Sequence, residues 1–405
     1  MGSMGSKAYM LGYGQTKCGF YADRDMRSLL SEAFIKALDY SGIEPKQIQQ
    51  IWLSHYPREC DLQMTAGQLA IDAVGLGSRV GCITIEQACT SGSITIHDAS
   101  LAIESGRYNC ILVLGFGKMT DTMRNWGRPN LYAHPEGPFE ESGFNPFYWH
   151  AGIVLMEPGA RGDYWKNNVT LEDMSYYNLV QYWYATKHPN SICYGEPIPT
   201  KEEVMAHGGG PIEALGCDGA SAVILASRDF AKDYTDTLIY IAAVSHKLES
   251  SYYAKMLDYG YGGDAGRQVA GNKPYSHSVE NAWKECFEQA GIQPIELDFI
   301  SPHESTIGTT YAHLEGMHHP HIPAGRAPKW FTEGEAYPGG KLPACTLGSA
   351  RFGQPRGATG INYLIENYMQ LKEECGEWQV PLKNGIAAGG TSPGRPAFHI
   401  LRRER

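Results

Sequence analysis

One cysteine in this sequence of 405 residues has neighbours that suit a nucleophile. Cys89 follows an apolar segment over 80–85 and precedes Thr90, three small residues (91–93) and an apolar, helix-forming segment. Unpaired backbone N–H groups and the helix dipole stabilise a thiolate at a helix start, and the same groups can hold an oxyanion. We predict that Cys89 is exposed there and acts as a nucleophile. A buried structural cysteine is the alternative.

Three histidines could carry protons for such a nucleophile, because histidine titrates near neutral pH. His303 and His55 each end an apolar, strand-like segment, and His150 lies among aromatic residues. A lone histidine is more often structural, so we rank them by position: His303 first, His150 second and His55 third. Glu304 could orient His303 or act directly, and Ser305 could lend a hydroxyl group to the pocket.

An internal repeat predicts how the chain positions these residues. Residues 33–55 and 282–303 share an amphipathic helix, a Gly-Ile stop, a proline and an apolar strand that ends at a histidine. Glycine is a common helix C-cap. We therefore predict two βαβ-rich halves, an N-terminal half over 1–235 and a C-terminal half over 236–405. An aromatic, Gly- and Pro-rich insertion at about 118–210 interrupts the first half, and we expect it to form a loop domain over the active face.

The predicted repeat extends beyond those two segments. The spacing of apolar residues predicts a helix over 94–106, after Cys89, and a second over 361–373, after a glycine-rich turn. Each half is expected to close with a strand, over 219–227 and 395–401. Glycine is used 47 times, which implies many tight turns and close backbone approaches.

Composition excludes several functional classes. The formal net charge of −10 argues against nucleic acid as a partner, and no apolar run approaches the roughly 20 residues of a membrane span. The ten cysteines form no CxxC pair and several lie in apolar segments, so a reducing, cytoplasmic location fits best. Four histidines within 313–321 lie in a Gly- and Pro-rich stretch whose spacing fits no common metal site, so we expect no metal.

The order of these segments resembles that of the thiolase superfamily, and in particular its sterol-carrier-protein-type members, over about residues 7–403. Besides the Cys89 turn, four segments resemble the family's pocket segments: 147–152, 302–305, 353–360 and 387–390. The resemblance implies an α/β fold of the thiolase type, with a duplicated five-layer αβαβα architecture and an inserted loop domain. It also implies that backbone amides of Cys89 and Gly390 hold the oxyanion of an acyl-enzyme.

Two positions depart from the family's pattern. Gln354 stands where the family's loop has a histidine that serves the nucleophile and an oxyanion hole. An amide can donate a hydrogen bond but cannot shuttle a proton. In the last segment Ala387 and Ala388 leave no cysteine where the family often has a second one. Proton transfer must therefore come from other residues, the three histidines being the candidates, or the reaction differs.

The reaction that the resemblance implies is the reverse Claisen cleavage of a β-ketoacyl-CoA. Cys89 attacks the keto carbon, and CoA then takes the acyl group from the cysteine; CoA is a co-substrate, and no tightly bound cofactor is expected. We expect a homodimer, and the departures favour a branch that works with a small zinc-ribbon/OB-fold subunit, such as benzoylsuccinyl-CoA thiolase. Two other functions stay open: a thiolase-fold retro-aldolase or C-acyltransferase, and a non-catalytic acyl-CoA-binding subunit.

Aromatic residues point to a substrate class. Tyrosine is used 25 times, and Tyr252 and Tyr259 lie in a tyrosine-rich stretch. An aromatic-lined pocket suits an aromatic or bulky acyl group, although tyrosines on a surface or in a dimer interface explain the same pattern equally well. Arg356 could pair with a carboxylate or with the phosphates of CoA, and a surface position is its alternative.

Overall fold

A computed structural model describes residues 7–56, 65–121, 169–208, 214–248, 277–391 and 395–404. In these residues the strands are β1 (Tyr9–Gln15), β2 (Ile51–Ser54), β3 (Cys82–Ile85), β4 (Cys110–Gly117), β5 (Gly219–Ala226), β6 (Ile239–His246), β7 (Phe299–Ser301), β8 (Ile386–Thr391) and β9 (Ala397–Arg403). Across the described ranges they form one nine-stranded sheet in the order β3-β2-β4-β5-β1-β6-β9-β8-β7.

The helices cover both faces of this sheet. In the described part of the chain they are α1 (Met26–Ser41), α2 (Ala66–Val74), α3 (Ser91–Glu104), α4 (Leu171–Ala185), α5 (Lys201–Ala206), α6 (Arg228–Ala231), α7 (His277–Ala290), α8 (Ile307–Gly316), α9 (Ala327–Thr332), α10 (Ser349–Phe352) and α11 (Thr359–Leu371). None of these described helices combines the length and the apolar character that a bilayer crossing needs.

The strand order shows the duplication that the sequence predicts. In the first group β2 runs parallel to β3 and β4, and β5 runs antiparallel to β4 and β1. In the second group β7 runs parallel to β8, and β9 runs antiparallel to β8 and β6. The two groups meet where Tyr9 of β1 pairs with Tyr240 of β6. Every residue of β4 and β5 is buried, as expected for strands covered by helices on both faces.

The repeated segment folds alike in both halves. α1 ends before Gly42 and α7 ends before Gly291, and both glycines are left-handed, with φ of +71° and +64°. A 3-10 turn then begins at a proline in each case, Pro45–Gln47 and Pro294–Glu296, and a capping box fixes each turn. Strands β2 and β7 follow. The helix stops that the glycines predicted are therefore confirmed.

Two helices lie between the two groups of strands. α3 contacts β2 and β4 of the first group and β6 and β9 of the second, and α11 contacts β8 and β9 as well as β5. α1 packs on the outer face of β1 and β5, and α7 packs on β6 and β9. The layers are therefore helix, first group of strands, central helices, second group of strands and helix, with the two groups joined at the β1–β6 pair, and the predicted αβαβα architecture is confirmed. The boundary at 235/236 stays a prediction, and of the predicted insertion, residues 122–168 lie outside the described residues.

The two central helices touch through glycine. A Cβ atom on Gly92 of α3 would lie 2.9 Å from the backbone nitrogen of Gly360 of α11, and a Cβ atom on Gly360 would lie 2.2 Å from the backbone nitrogen of Ser93. Real Cβ atoms do not approach backbone this closely, so only glycine lets the two helix starts meet. Thr391, at the end of β8, donates from Oγ1 to Ser93 Oγ over 2.8 Å and ties the second group of strands to the same point.

Both central helices start earlier than the apolar spacing predicted. α3 begins at Ser91 rather than at residue 94, and α11 begins at Thr359 rather than at residue 361. Ser91 Oγ accepts from the N–H of Gln87 and donates to the carbonyl of Ala88, so a side chain closes the first turn where helix propensity is weak. The predicted closing strands over 219–227 and 395–401 correspond to β5 and β9.

We predict that Gly360→Ala costs more stability than Gly75→Ala. The added methyl at Gly360 must displace backbone of α3, and overpacking of this kind costs about 1–3 kcal/mol or more. Gly75 also has a left-handed backbone, with φ of +65°, but a Cβ there meets nothing within 4 Å, so only the conformational strain of about 1–2 kcal/mol applies. Urea unfolding of both variants measures the difference, and equal losses would contradict the packing argument.

Candidate active site

Cys89 lies in a 3-10 turn, Ala88–Thr90, that connects β3 to the first turn of α3. The turn is held from both sides, because Ala88 donates its N–H to Glu86 Oε1 over 2.9 Å and accepts from Ser91 Oγ over 2.6 Å. Ala88 has a φ of +52°, which a residue other than glycine adopts only when its surroundings require it. The fold thus fixes the direction of the Cys89 side chain relative to the backbone.

Cys89 is buried, with only 8% of its surface exposed. The expectation of an exposed cysteine was therefore wrong, while its position at the start of a helix was correct. The reason is long-range: the 3-10 turn Arg356–Ala358, at the start of α11, packs against the Ala88–Thr90 turn. Cys89 therefore lies away from water, where electrostatic interactions are stronger than in bulk solvent.

The starts of α3 and α11 face each other across this site. Gly357, in the turn before α11, accepts at its carbonyl from Ser54 Oγ, and a Cβ on it would lie 2.3 Å from the carbonyl oxygen of Phe116. The loop is thus pressed onto the end of β4. Because α3 and α11 both begin here, the positive ends of two helix dipoles converge beside Cys89. This arrangement favours negative charge on a thiolate or on an oxyanion.

Gln354 is buried, and both its backbone and its side-chain amide form hydrogen bonds. Its backbone N–H donates to the carbonyl of Leu215 over 2.8 Å, and its carbonyl accepts from the N–H of Cys217. Its Nε2 donates to Ser349 Oγ over 2.8 Å. The amide therefore acts as a fixed donor in the loop, and proton transfer has to involve other residues.

Glu304 is a fully buried carboxyl group connected to that amide. Its Oε2 accepts from the N–H of Ser349 over 2.6 Å, and its own N–H donates to Tyr363 Oη over 2.9 Å. Burial raises the pKa of Glu304 to about 8, against the lowering effect of the Ser349 N–H. The carboxyl group is therefore mostly protonated at neutral pH, and Ser349 links it to Gln354.

His303 is fully buried beside these groups. Its backbone N–H donates to His313 Nδ1 over 3.2 Å, and the centroid of its ring lies 6.2 Å from that of Tyr363. Burial, the neighbouring His313 and the positive charge of Arg356 hold the pKa of His303 well below its usual range. The imidazole is therefore neutral at physiological pH.

His55 and Tyr56 line the end of β2. The ring of His55 stacks on that of Phe116 at 5.6 Å between centroids. The backbone N–H of His55 donates to the carbonyl of Ile85. Tyr56 is buried against Ala88, the residue before Cys89. Sequence reasoning missed Tyr56, although it directly follows a candidate histidine. It also missed Tyr363 and Ser349, whose contacts with Glu304 join distant parts of the chain.

The remaining predicted site residues have mixed outcomes. Gly390 lies in β8 with a φ of +141°, and a Cβ on it would lie 2.2 Å from the carbonyl oxygen of Ala397, so packing between β8 and β9 alone requires glycine. β8 also contacts the Ala88–Thr90 turn.

Ser305 accepts at its carbonyl from the N–H of Ala214. His150, Tyr252 and Tyr259 lie outside the described residues. Within the described ranges no cluster of three His, Cys, Asp or Glu side chains could hold a metal ion.

A duplicated αβαβα fold whose central helix starts converge on a cysteine defines a thiolase-type protein. The domain family described as "Thiolase, N-terminal domain" matches residues 7–132, and "Thiolase C-terminal domain-like" matches residues 267–394. The chain therefore belongs to the thiolase family.

Relatives extend over nearly the whole chain. Acetyl-CoA acetyltransferase of Methanothermobacter thermautotrophicus is 25% identical over 97% of this chain and 99% of that protein. Sterol carrier protein 2 of Homo sapiens is 26% identical over 95% of this chain and 70% of that protein. Benzoylsuccinyl-CoA thiolase subunit BbsB of Thauera aromatica is 23% identical over 92% and 91%. The first of these relatives is an acyltransferase by name, and it supports acyltransferase chemistry for this chain.

Two solved structures share the fold. The structure titled "Ltp2-ChsH2(DUF35) aldolase" has a TM-score of 0.75 at 17% identity and covers 99% of both chains. The acetyl-CoA acetyltransferase of Syntrophomonas wolfei has a TM-score of 0.65 at 16% identity and covers 98% of this chain and 99% of that one. At these identities the likeness extends to the fold and not to the substrate.

We predict that Glu304→Gln changes how stability depends on pH. With a folded-state pKa raised to about 8, Glu304 keeps its proton between about pH 4.5 and 8, while the unfolded chain releases it. The wild type therefore loses stability as the pH rises through this range, by an amount on the order of a few kcal/mol. The variant lacks this contribution.

Denaturant unfolding at pH 5 and pH 8 measures the effect. The stability of wild type relative to Glu304→Gln is expected to fall from pH 5 to pH 8. Glu377→Gln, a change at an exposed carboxylate, is the matched control and should leave the wild-type pH dependence intact. A constant difference between wild type and Glu304→Gln would show that this carboxyl group is already ionised at pH 5.

Proposed function

We propose that the protein is a CoA-dependent thiolase that cleaves a β-ketoacyl-CoA through an acyl-cysteine intermediate. The observation that carries the proposal is the position of Cys89 in a rigid turn where the starts of α3 and α11 converge. Two sets of backbone N–H groups at one point suit both the nucleophile and the oxyanion that forms when it attacks a keto carbon. The backbone amides of Cys89 and Gly390 are our candidates for that oxyanion hole.

The proposed reaction is a reverse Claisen cleavage. The sulfur of Cys89 bonds to the keto carbon, and the bond between that carbon and the α carbon then breaks. The electron pair remains on the α carbon as a thioester enolate, which takes up a proton to give the shorter acyl-CoA. The thiol of a second CoA then replaces Cys89 on the acyl group, giving the second product and restoring the cysteine.

We propose His303 as the group that carries protons in these steps. It is buried and neutral, and because burial and the charge of Arg356 lower its pKa, a proton that it accepts is held weakly and passed on readily. His55 and His150 are the second-rank candidates. In this proposal Glu304 positions Gln354 through Ser349. The N–H of Ser349 donates to the Glu304 carboxyl group, and the Ser349 hydroxyl oxygen accepts from the Gln354 amide. No tightly bound cofactor or metal takes part in these steps.

The proposed assembly is a cytoplasmic homodimer with a small zinc-ribbon/OB-fold subunit. In the described ranges β3 pairs with β2 alone, and Ile83 on it is 40% exposed. Such an edge strand needs a cover, and a second copy of β3 would supply it. The partner subunit is supported by the solved structure whose title names a DUF35 component. An aromatic substrate such as benzoylsuccinyl-CoA is supported by BbsB among the relatives.

A thiolase-fold retro-aldolase or C-acyltransferase is the second candidate function. The engaged Gln354 amide and the buried alanines at 387 and 388 favour it, because both positions lack the acid or base that thiolysis by CoA normally uses. The chain would then cleave or form a carbon–carbon bond without free CoA. A non-catalytic acyl-CoA-binding subunit is the third candidate, and it predicts that no acyl-CoA modifies Cys89.

We predict that Cys89→Ser lowers the rate of β-ketoacyl-CoA thiolysis by at least about a thousand-fold, because a hydroxyl group is a far weaker nucleophile than a thiolate. Cys193→Ser, at a half-buried cysteine outside the candidate site, is the matched control and should retain the wild-type rate. Product formation with a panel of β-ketoacyl-CoA thioesters measures both. Full activity in Cys89→Ser would reject the proposed nucleophile.

Free CoA distinguishes the first two candidate functions. The thiolase proposal predicts that the rate of carbon–carbon cleavage rises with CoA concentration and saturates, because CoA removes the acyl group from Cys89. Steady-state cleavage that proceeds equally well without free CoA would instead favour the retro-aldolase. Both assays use the full chain, with and without a co-purified small subunit.

A further inference from the structure

Two cysteines lie side by side next to the loop that carries Gln354. Cys18 follows β1 and Cys217 precedes β5, and both are buried free thiols in one hydrophobic cluster. A Cβ atom on Gly353 would lie 2.9 Å from Cys217 Sγ and 3.4 Å from Cys18 Sγ. Two sulfurs that are far apart in the chain therefore lie over the same glycine.

Backbone hydrogen bonds hold the two cysteines in this arrangement. The residues that follow them, Gly19 and Asp218, form an antiparallel pair in which each N–H donates to the carbonyl of the other, over 3.1 and 2.8 Å. Side chains alternate between the faces of such a pair. Cys18 and Cys217 therefore project from the same face, and Gly353 lies against it.

The two thiols interact directly. Burial, followed by a hydrogen bond and an electrostatic interaction with Cys18, raises the pKa of Cys217 well above its usual range. Cys18 Sγ also donates to the carbonyl of Gly353 over 3.8 Å. A disulfide brings its sulfurs to about 2.05 Å, which thiols in contact reach by a small movement. Because the fold has already ordered both side chains, closing the bond costs little conformational entropy.

We propose that Cys18 and Cys217 are a site of reversible oxidation, at which a peroxide converts the two thiols into a disulfide. With hydrogen peroxide, the sulfur of Cys18 takes one oxygen to form a sulfenic acid, and one water is released. The sulfur of Cys217 then bonds to that of Cys18, and the oxygen leaves as a second water. The two thiols thus lose two electrons, and the peroxide is reduced.

The same chemistry sets the rate and the reversal of this oxidation. Burial makes the forward step slow, since the peroxide reaches the sulfurs only when the surrounding loops open locally. A dithiol reductant restores both cysteines by thiol–disulfide exchange. The pair therefore remains reduced in a reducing compartment and responds to sustained exposure to peroxide.

The disulfide would act on the candidate site through Gln354. The carbonyl of Gln354 accepts from the N–H of Cys217 over 3.3 Å, and Gly353 before it has a φ of +108°. On oxidation Cys18 loses the hydrogen that it donates to Gly353, and the packing over this glycine changes. We expect the Gln354 amide to shift from Ser349, so the oxidised protein is a slower enzyme. Only this effect on activity rests on the thiolase function proposed above.

Disulfide mapping tests the oxidation site itself. The full chain is treated with hydrogen peroxide while circular dichroism shows that it stays folded, free thiols are alkylated, and unreduced peptides are analysed by mass spectrometry. We expect a peptide pair that joins Cys18 to Cys217 and that dithiothreitol separates. Cys18→Ser and Cys217→Ser should each abolish it, and Cys82→Ser, at a half-buried cysteine of β3, is the control that should keep it. Recovery of Cys18 and Cys217 as alkylated thiols, as higher oxides or in disulfides with other cysteines would overturn the proposal.

An activity assay tests the connection to Gln354. β-Ketoacyl-CoA thiolysis is compared before and after peroxide, at exposures where the Cys89 peptide is still recovered in its alkylated form. We expect the wild type to lose about ten-fold or more in kcat, as for a displaced hydrogen-bond donor, and to regain it with dithiothreitol. Cys18→Ser, whose hydroxyl group can still donate to the Gly353 carbonyl, should keep its rate.

The remaining outcomes separate this inference from the proposed function. An equal loss of activity in Cys18→Ser would show that the disulfide does not act through Gln354. If the disulfide forms but the reduced protein cleaves no β-ketoacyl-CoA, the thiolase function fails and the oxidation site stands. If the reduced protein cleaves its substrate and no disulfide forms, the oxidation site fails and the thiolase function stands.

Discussion

The contact between Gly92 and Gly360 is the constraint on which the rest of the site depends. It lets α3 and α11 meet at their first turns, so that one helix from each half of the chain begins at the same point. The turns that precede them, Ala88–Thr90 and Arg356–Ala358, then pack against each other. With any larger residue the helices would move apart, and Cys89 would lose both its cover and the second set of backbone N–H groups.

Burial at this point explains the electrostatics of the site. Away from water, His303 remains neutral and Glu304 keeps its proton at neutral pH, because desolvation disfavours charge on both. Positive charge remains on Arg356 and on the two helix starts. A site of this kind stabilises anions, namely a thiolate, an oxyanion or an enolate, and these are the charged species that a Claisen-type cleavage passes through.

The sequence predicted those parts of the site that depend on local patterns. Cys89 among small residues indicated a turn before a helix, and Gly42 and Gly291 indicated helix ends that the structure has. Position in a repeat identified β2 and β7 as equivalent strands. These features depend on residues close together in the chain, which is where propensity and spacing carry information.

Features that depend on distant contacts could not be predicted in the same way. The burial of Cys89 requires the turn at 356–358 from the other half of the chain. The hydrogen bonds that connect Glu304 to Gln354 pass through Ser349, whose local sequence gives no sign of this role. Tyr56 had a signal, its position after His55, but only its packing against Ala88 shows why it matters.

The measurement that tests the central claim most directly is intact-protein and peptide mass spectrometry of the enzyme quenched during turnover of a β-ketoacyl-CoA. If the convergent helix starts make Cys89 the nucleophile, a transient acyl group appears on the peptide that contains Cys89 and disappears when free CoA is added. Consumption of the substrate with no acyl group on Cys89, or with a stable adduct on another cysteine, would contradict the account.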